Sequence, residues 1–222
     1  MHDSPGSLAQ QLDAITERVR THWDAKHRAR EHALARCRDV IRNAALTIRA
    51  VHRDEEENAR ALLDAAREHL ASARAALDGH PDIFHAGFMH DAQKEFAEAS
   101  LTIALVAGAP LPSPEELGVE HGAYLNGAGE AVGELRRYLL NGLRHGDMAR
   151  SERYLSAMDE IYSVMVTLDF PDAITGGLRR TTDVTRGILE KTRGDLTVAA
   201  RQAELEARLA AFERAVAALQ PS

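Results

Sequence analysis

The sequence predicts an all-α fold, a bundle of helices in one domain. Two features of the composition point there: 45% of the chain is hydrophobic, yet aromatic residues supply only 5%. A core of that make-up, dominated by alanine and leucine, is built by packing helices rather than by layering sheets. The third observation is periodicity, because apolar residues recur every three or four positions through long segments. At 222 residues the chain is long enough for one large core.

The punctuation divides the chain into seven segments, roughly 8–53, 54–78, 83–107, 114–144, 148–169, 172–193 and 195–219, with residues 1–7 left as a flexible tail. In the first segment Cys37, Val40, Ile41, Ala44, Ile48 and Val51 share one side of a helix. The acids Asp54–Glu57 open the second segment. Asp78-Gly79-His80-Pro81-Asp82 reads as a stop, a turn and a new start. Ser113-Pro114-Glu115-Glu116 is a helix opening, with a cap, a proline and then acids at the positive end of the helix. Phe170-Pro171-Asp172 breaks the chain again, and Arg193-Gly194-Asp195 is a weaker break. The connections are too short for a domain linker, so the reading is a single domain over 1–222.

Charge and special residues exclude several classes. No apolar run reaches the roughly 18–20 residues that span a bilayer, and the polar start Met1 to Gly6 lacks the core of a secretory signal. A lone cysteine, Cys37, forms no internal disulfide, and a cytoplasmic location is expected. There is no Glu-x-x-His of di-iron bundles, no phosphate loop, no dinucleotide fingerprint and no nucleophile elbow. The net charge is −7, but the stretch from Arg18 to Arg53 holds ten Lys/Arg against three acids. Arg38, Arg42, Arg49 and Arg53 fall along one face of it. Two readings stand for this stripe: a solvated face, or a row of guanidinium groups tracking successive phosphates of a nucleic acid. The nearby Trp23 and His27 could stack on bases, but a lone tryptophan is more often a core residue.

Acids form two further stripes. Asp91, Glu95, Glu98 and Thr102 are spaced 4, 3 and 4, and like charges at that spacing repel. A cation would relieve the repulsion, and carboxylate oxygens suit Mg²⁺ or Mn²⁺. Asn126, Glu130, Glu134, Arg137 and Asn141 form the matching stripe, with Gly129 and Gly133 expected to admit a neighbouring helix. If the two stripes face each other, Glu95, Glu98, Glu130 and Glu134 make a carboxylate cluster suited to metal-assisted phosphodiester hydrolysis. Taken by spacing alone, a solvated acidic surface is the competing reading.

The local text around these stripes resembles the translin and Trax family. Gly87-Phe88 with Lys94-Glu95-Phe96-Ala97-Glu98-Ala99 is similar to its (Q/K)-E-(F/Y)-x-E-A segment. Tyr124-Leu125-Asn126-Gly127 with Gly133-Glu134-Leu135-Arg136-Arg137 is similar to its Y-L-x-G and G-E-L-x-R helix. Leu168-Asp169-Phe170-Pro171-Asp172-Ala173 with Gly177-Leu178-Arg179-Arg180 resembles the prokaryotic, chiefly archaeal, members. The resemblance covers about residues 30–195.

It implies a seven-helix bundle that assembles into a hollow homo-oligomer, with an octamer favoured, and that binds single-stranded RNA and possibly single-stranded DNA. In its Trax branch it implies a Mg²⁺-dependent endoribonuclease, with Mn²⁺ as a possible substitute. Carried over by position, the catalytic and metal-binding acids fall on Glu95, Glu98, Glu130 and Glu134. Position 130 departs from the pattern, because Glu130 stands where the catalytic relatives carry aspartate. Arg38, Arg42, Arg49 and Arg53 are the candidate nucleic-acid contacts. The alternative is a translin-like protein that binds single-stranded RNA or DNA without cutting it.

Overall fold

A computed structural model describes residues 7–219, and within them the chain is helical with no strand. There are six long helices: α1 (Leu8–Val51), α2 (Glu56–Ala76), α4 (Gly87–Ala107), α6 (His121–Arg144), α7 (Met148–Val166) and α9 (Leu178–Leu219). Three one-turn helices, α3 (Pro81–Phe84), α5 (Pro114–Leu117) and α8 (Asp172–Thr175), sit in the connections. Of the tail expected over 1–7, residues 1–6 lie outside the described residues. Ser7 caps α1, its side chain accepting from Gln10 N while Gln10 reaches back to Ser7 N.

The expected segments hold in outline, but 83–107 opens on the end of α3 before α4 starts at Gly87. Likewise 172–193 opens on α8, which Gly176 (φ +61°) ends before α9. Two more differ. The segment 114–144 is two helices, because Gly118 takes a left-handed conformation (φ +66°) that ends α5 after one turn. The expected break at Gly194 is absent, and α9 runs straight through it. A glycine costs a helix interior only about 1 kcal/mol, less than the burial of Leu189 and Leu196 on either side returns. Trp23 is also not in the core, for it stands two-thirds exposed where α1 extends past the bundle.

Helix α4 is the centre of the molecule. One of its faces packs with α1 and α2 around Cys37, Val40, Leu70, Met89 and Phe96. The carboxyl end of α4 joins α6, α7 and α9 around Val132, Leu139, Tyr154 and Leu189. The pairings fix direction. Cys37 meets Met89 near the start of α4 (3.3 Å), whereas Val51 joins Leu105 and Val106 near its end, so α1 and α4 run parallel. Along α6 and α9, Thr181 donates to Asn126 (2.5 Å), and Arg136 to Thr192 and Asp195 (2.7 Å each), so those two are parallel as well.

The contact that sets the site is the crossing of α4 and α6 at Gly127. A Cβ on Gly127 would lie 2.7 Å from the Lys94 carbonyl and 2.9 Å from the Glu98 backbone nitrogen. The expectation that Gly129 and Gly133 admit this helix is corrected: Gly129 faces Thr181 and Met165, on α9 and α7, and Gly133 has nothing nearer than Ile188 at 4.0 Å. Gly127→Ala is therefore expected to destabilise the fold by about 1–3 kcal/mol through overpacking. Gly133→Ala, with open space and better helix propensity, should be neutral or stabilising by up to about 1 kcal/mol. Denaturant unfolding of both variants checks the contrast.

Candidate functional site

Because α4 and α6 touch at Gly127, the acids one turn on either side are brought together. Glu95 and Glu98 project from α4 and Glu130 from α6, and one carboxylate oxygen of each lies within 4.8 Å of the others. The ammonium of Lys94 bridges two of them, donating to Glu130 (2.6 Å) and standing 3.4 Å from Glu95. Glu134 lies a turn further along α6. It accepts hydrogen bonds from Arg137 (2.9 Å) and from the ring nitrogen of His52 at the end of α1. The His52 ring is itself stacked on Tyr138, 4.5 Å between centroids. Asp91 is exposed on the rim, while Thr102, next on the same stripe, is wholly buried.

The environment separates these acids. Glu98 is buried, and the loss of water, with Glu95, Glu130 and Glu134 nearby, pushes its carboxyl up to about 8. Burial also raises Glu95, against the opposing pull of Lys94. Burial acts on Glu134 too, but the bond from His52 and the Arg137 charge outweigh it and hold that carboxyl below its ordinary value. Burial would strip the Lys94 proton, yet Glu130 and Glu95 more than compensate and keep it firmly cationic. The site thus holds one fixed cation, one fixed carboxylate and one acid poised to lose its proton when positive charge arrives.

Glu98 and Glu130, with Asp91 at the rim, open onto a cleft of about 640 Å³. Its other wall is the start of α9, where Arg180, Thr181 and Thr185 face Lys94, Glu98 and Glu130. That wall is held by Asn126, which accepts from Thr181 (2.5 Å) and donates to the Thr175 carbonyl (2.8 Å). His90 closes one end, against Gly176. The arginines of the basic stripe are elsewhere: Arg38, Arg42 and Arg49 are exposed along α1, and Arg53 in the turn that follows it. Arg42 pairs with Asp39 (2.9 Å) and Arg53 reaches Glu55 at 4.0 Å. Lys94, His52 and Arg180 have no role assigned by the sequence. The signal for Lys94 and Arg180 is present there, since both stand inside the quoted motifs. His52 is eighty-two positions from Glu134, and no spacing rule could pair them.

An archaeal relative, the uncharacterized protein MJ0175 of Methanocaldococcus jannaschii, is 30% identical over 186 residues, 83% of this chain and 82% of the relative. The solved structure of AfC3PO in complex with duplex RNA is 34% identical, with a TM-score of 0.78 over 84% of this chain and 97% of that one. The chain belongs to the translin/Trax family. AfC3PO alone is equally similar, with a TM-score of 0.78 at 33% identity and the same coverage. Apo-NeC3PO shares the fold, with a TM-score of 0.74 at 19% identity over 87% of this chain and all of that one. No family model matches the sequence. Within the family frame, Glu95 and Glu98 of one motif-bearing helix and Glu130 of the other are the acids that converge, and the family's all-helical bundle is the fold observed.

A pH test follows from Glu98. Its folded-state carboxyl keeps the proton well above the ordinary 4.5, so between pH 4.5 and 8 the unfolded chain binds fewer protons than the folded one. Stability should then fall as pH rises through that window. A proton held across one pH unit is worth about 1.4 kcal/mol, so in chelator Glu98→Gln is expected to match the native chain near pH 5 and exceed it by a few kcal/mol at pH 8. Parallel pH slopes in denaturant unfolding would contradict this.

Proposed function

We propose that this protein binds RNA and cleaves its phosphodiester backbone, with Mg²⁺ held by Glu95, Glu98 and Glu130. The observation that carries the reading is the convergence of three carboxylate oxygens from two helices, with Glu98 and Glu130 of the three lining one cleft. The donor set fits the ion: Mg²⁺ takes hard oxygen ligands at about 2.0–2.1 Å, which small rotations of three glutamates now within 4.8 Å of one another would reach. The longer arm of Glu130, compared with aspartate, helps span that gap. Mg²⁺ or Mn²⁺, when bound, supplies Lewis-acid polarisation of the phosphate and activation of a water.

The protein's own groups do the rest. Lys94, released from Glu130 and Glu95, stays at the cleft and faces the scissile phosphate as a positive charge. Arg180 across the cleft orients the backbone. Glu134, spent on His52 and Arg137, remains a fixed carboxylate that shapes the field at Glu98 rather than a first ligand. The stripe Arg38, Arg42, Arg49 and Arg53 carries the RNA outside the cleft. The working form is a hollow homo-oligomer, an octamer favoured; a stable monomer in light scattering would count against an enclosed chamber.

The non-cleaving reading has one observation in its favour, because Lys94 already fills the acid cluster with a cation. Labelled single-stranded and duplex RNA, and single-stranded DNA, incubated with Mg²⁺ or with chelator, separate the two. Salt-sensitive binding with no cleavage selects the binder. Cleavage that needs Mg²⁺, and that Glu98→Ala abolishes while affinity changes less than about twofold, selects the nuclease. Undiminished cleavage by Glu98→Ala removes this site from consideration. Lys94→Met, which deletes a competing charged hydrogen bond of roughly 1.5 kcal/mol, should tighten Mn²⁺ binding by about tenfold in calorimetry. Replacing all four stripe arginines with alanine should lower the slope of log affinity against log salt by about 3, at roughly 0.7 per phosphate contact on a single strand.

A further inference from the structure

Leu196 is the last buried residue of the last helix. Thr197, Ala200, Arg201 and Glu204 still border Glu152 and Leu155 of α7, and beyond them the helix extends as an arm to residue 219. Val198, Leu205, Leu209, Phe212 and Val216 are 39–68% exposed along this stretch. Their spacing of 7, 4, 3 and 4 is a heptad seam, with Val198, Leu205 and Phe212 at d and Leu209 and Val216 at a. The seam does not prolong the stripe that α9 buries in the body. At about 100° per residue, Val198, Leu205, Leu209, Phe212 and Val216 lie roughly 160° around the helix from Leu189, Thr192 and Leu196. The arm thus presents its apolar face to something other than α6 and α7.

The flanks of the seam say what that is. The g positions are Arg201 and Arg208, and the e positions are Glu206 and Glu213. In a parallel pair of identical helices each g residue meets the e residue five positions later on its partner. That places Arg201 against Glu206 and Arg208 against Glu213, twice over by symmetry. An antiparallel pair would instead oppose arginine to arginine and glutamate to glutamate. The exposed start of α1 also carries a seam, Leu8, Leu12, Ile15 and Val19, but its flanks (Ala9, Thr16 and Trp23; Gln11, Arg18 and Ala25) hold no acid to match the arginines of the α9 arm. Nor do the two arms meet within one chain. α1, α4, α6 and α9 run parallel, so the start of α1 and the end of α9 leave the bundle at opposite ends.

We propose that the arm of α9 is an interaction surface for the same arm of a second copy, forming a parallel two-stranded coiled coil in register. It rests on the arm alone and stands whether or not the acid cluster cleaves RNA. The test uses the full chain carrying Leu205→Cys, because identical d positions face each other when the two arms lie parallel and in register; the native Cys37 is buried. Oxidation with diamide should convert most of the protein to a covalent dimer on a non-reducing gel. Adding Glu206→Arg with Glu213→Arg should abolish the dimer, as should adding Arg201→Glu with Arg208→Glu, with helicity by circular dichroism unchanged. Mixing those two charge-reversed proteins should restore it, since each then supplies the other's complement. The proposal is overturned if Leu205→Cys gives no dimer, if the dimer survives either charge reversal alone, if mixing fails to restore it, or if Leu205→Cys couples instead to a chain carrying Ile15→Cys.

Discussion

The approach of α6 to α4 at Gly127 is the constraint from which the site follows. Two helix backbones come within reach of each other only where one side chain is missing, and the gap left for a Cβ there is 2.7 Å. Everything a turn away is then forced into a narrow space: Glu95 and Glu98 on one side, Glu130 on the other, with Lys94 between them. Moving the glycine by even one position along α6 would rotate the crossing by about 100° and send Glu130 to another face.

Crowding carboxylates in this way costs stability, and the structure offsets the cost unequally. Glu130 and Glu95 share Lys94, Glu134 has His52 and Arg137, and Glu98 has no ion pair among the described residues and rests on proton uptake instead. Glu98, pushed toward its neutral form by burial, thus stands beside Glu134 and Lys94, which their partners hold charged, the kind of divided environment found at functional sites. An ordinary wet acidic face would show neither the burial nor the division of partners.

The bundle is legible in the sequence because it depends on period and punctuation, which are local. The stripes of acids are legible for the same reason, but they offer four candidates, of which Glu95, Glu98 and Glu130 meet while Glu134 pairs with His52 and Arg137. What the sequence does not reveal is which glycine makes the crossing. Gly127, Gly129 and Gly133 look alike in a linear text, and only the packing of α9 reveals that Gly129 serves a different neighbour. Gly194 suggests a break that the fold does not make, because local propensity is small beside burial on both sides. Trp23 reads as core, as any large apolar residue does, unless the length of the overhang is known. The pairing of His52 with Glu134 depends wholly on tertiary structure, bringing the end of the first long helix to the middle of a later one.

The uninterrupted α9 has a mechanical meaning. Its first turns form the cleft wall with Arg180, Thr181 and Thr185, and its last turns are the exposed arm. With 42 residues in one helix, the two are joined by a rod roughly 60 Å long. No hinge intervenes, so the azimuth of the arm is locked in phase to the azimuth of the wall. A single residue inserted just past Glu204, beyond the last residues of α9 that border α7, would leave the bundle in place and still swing the rest of the arm by about 100° relative to the cleft.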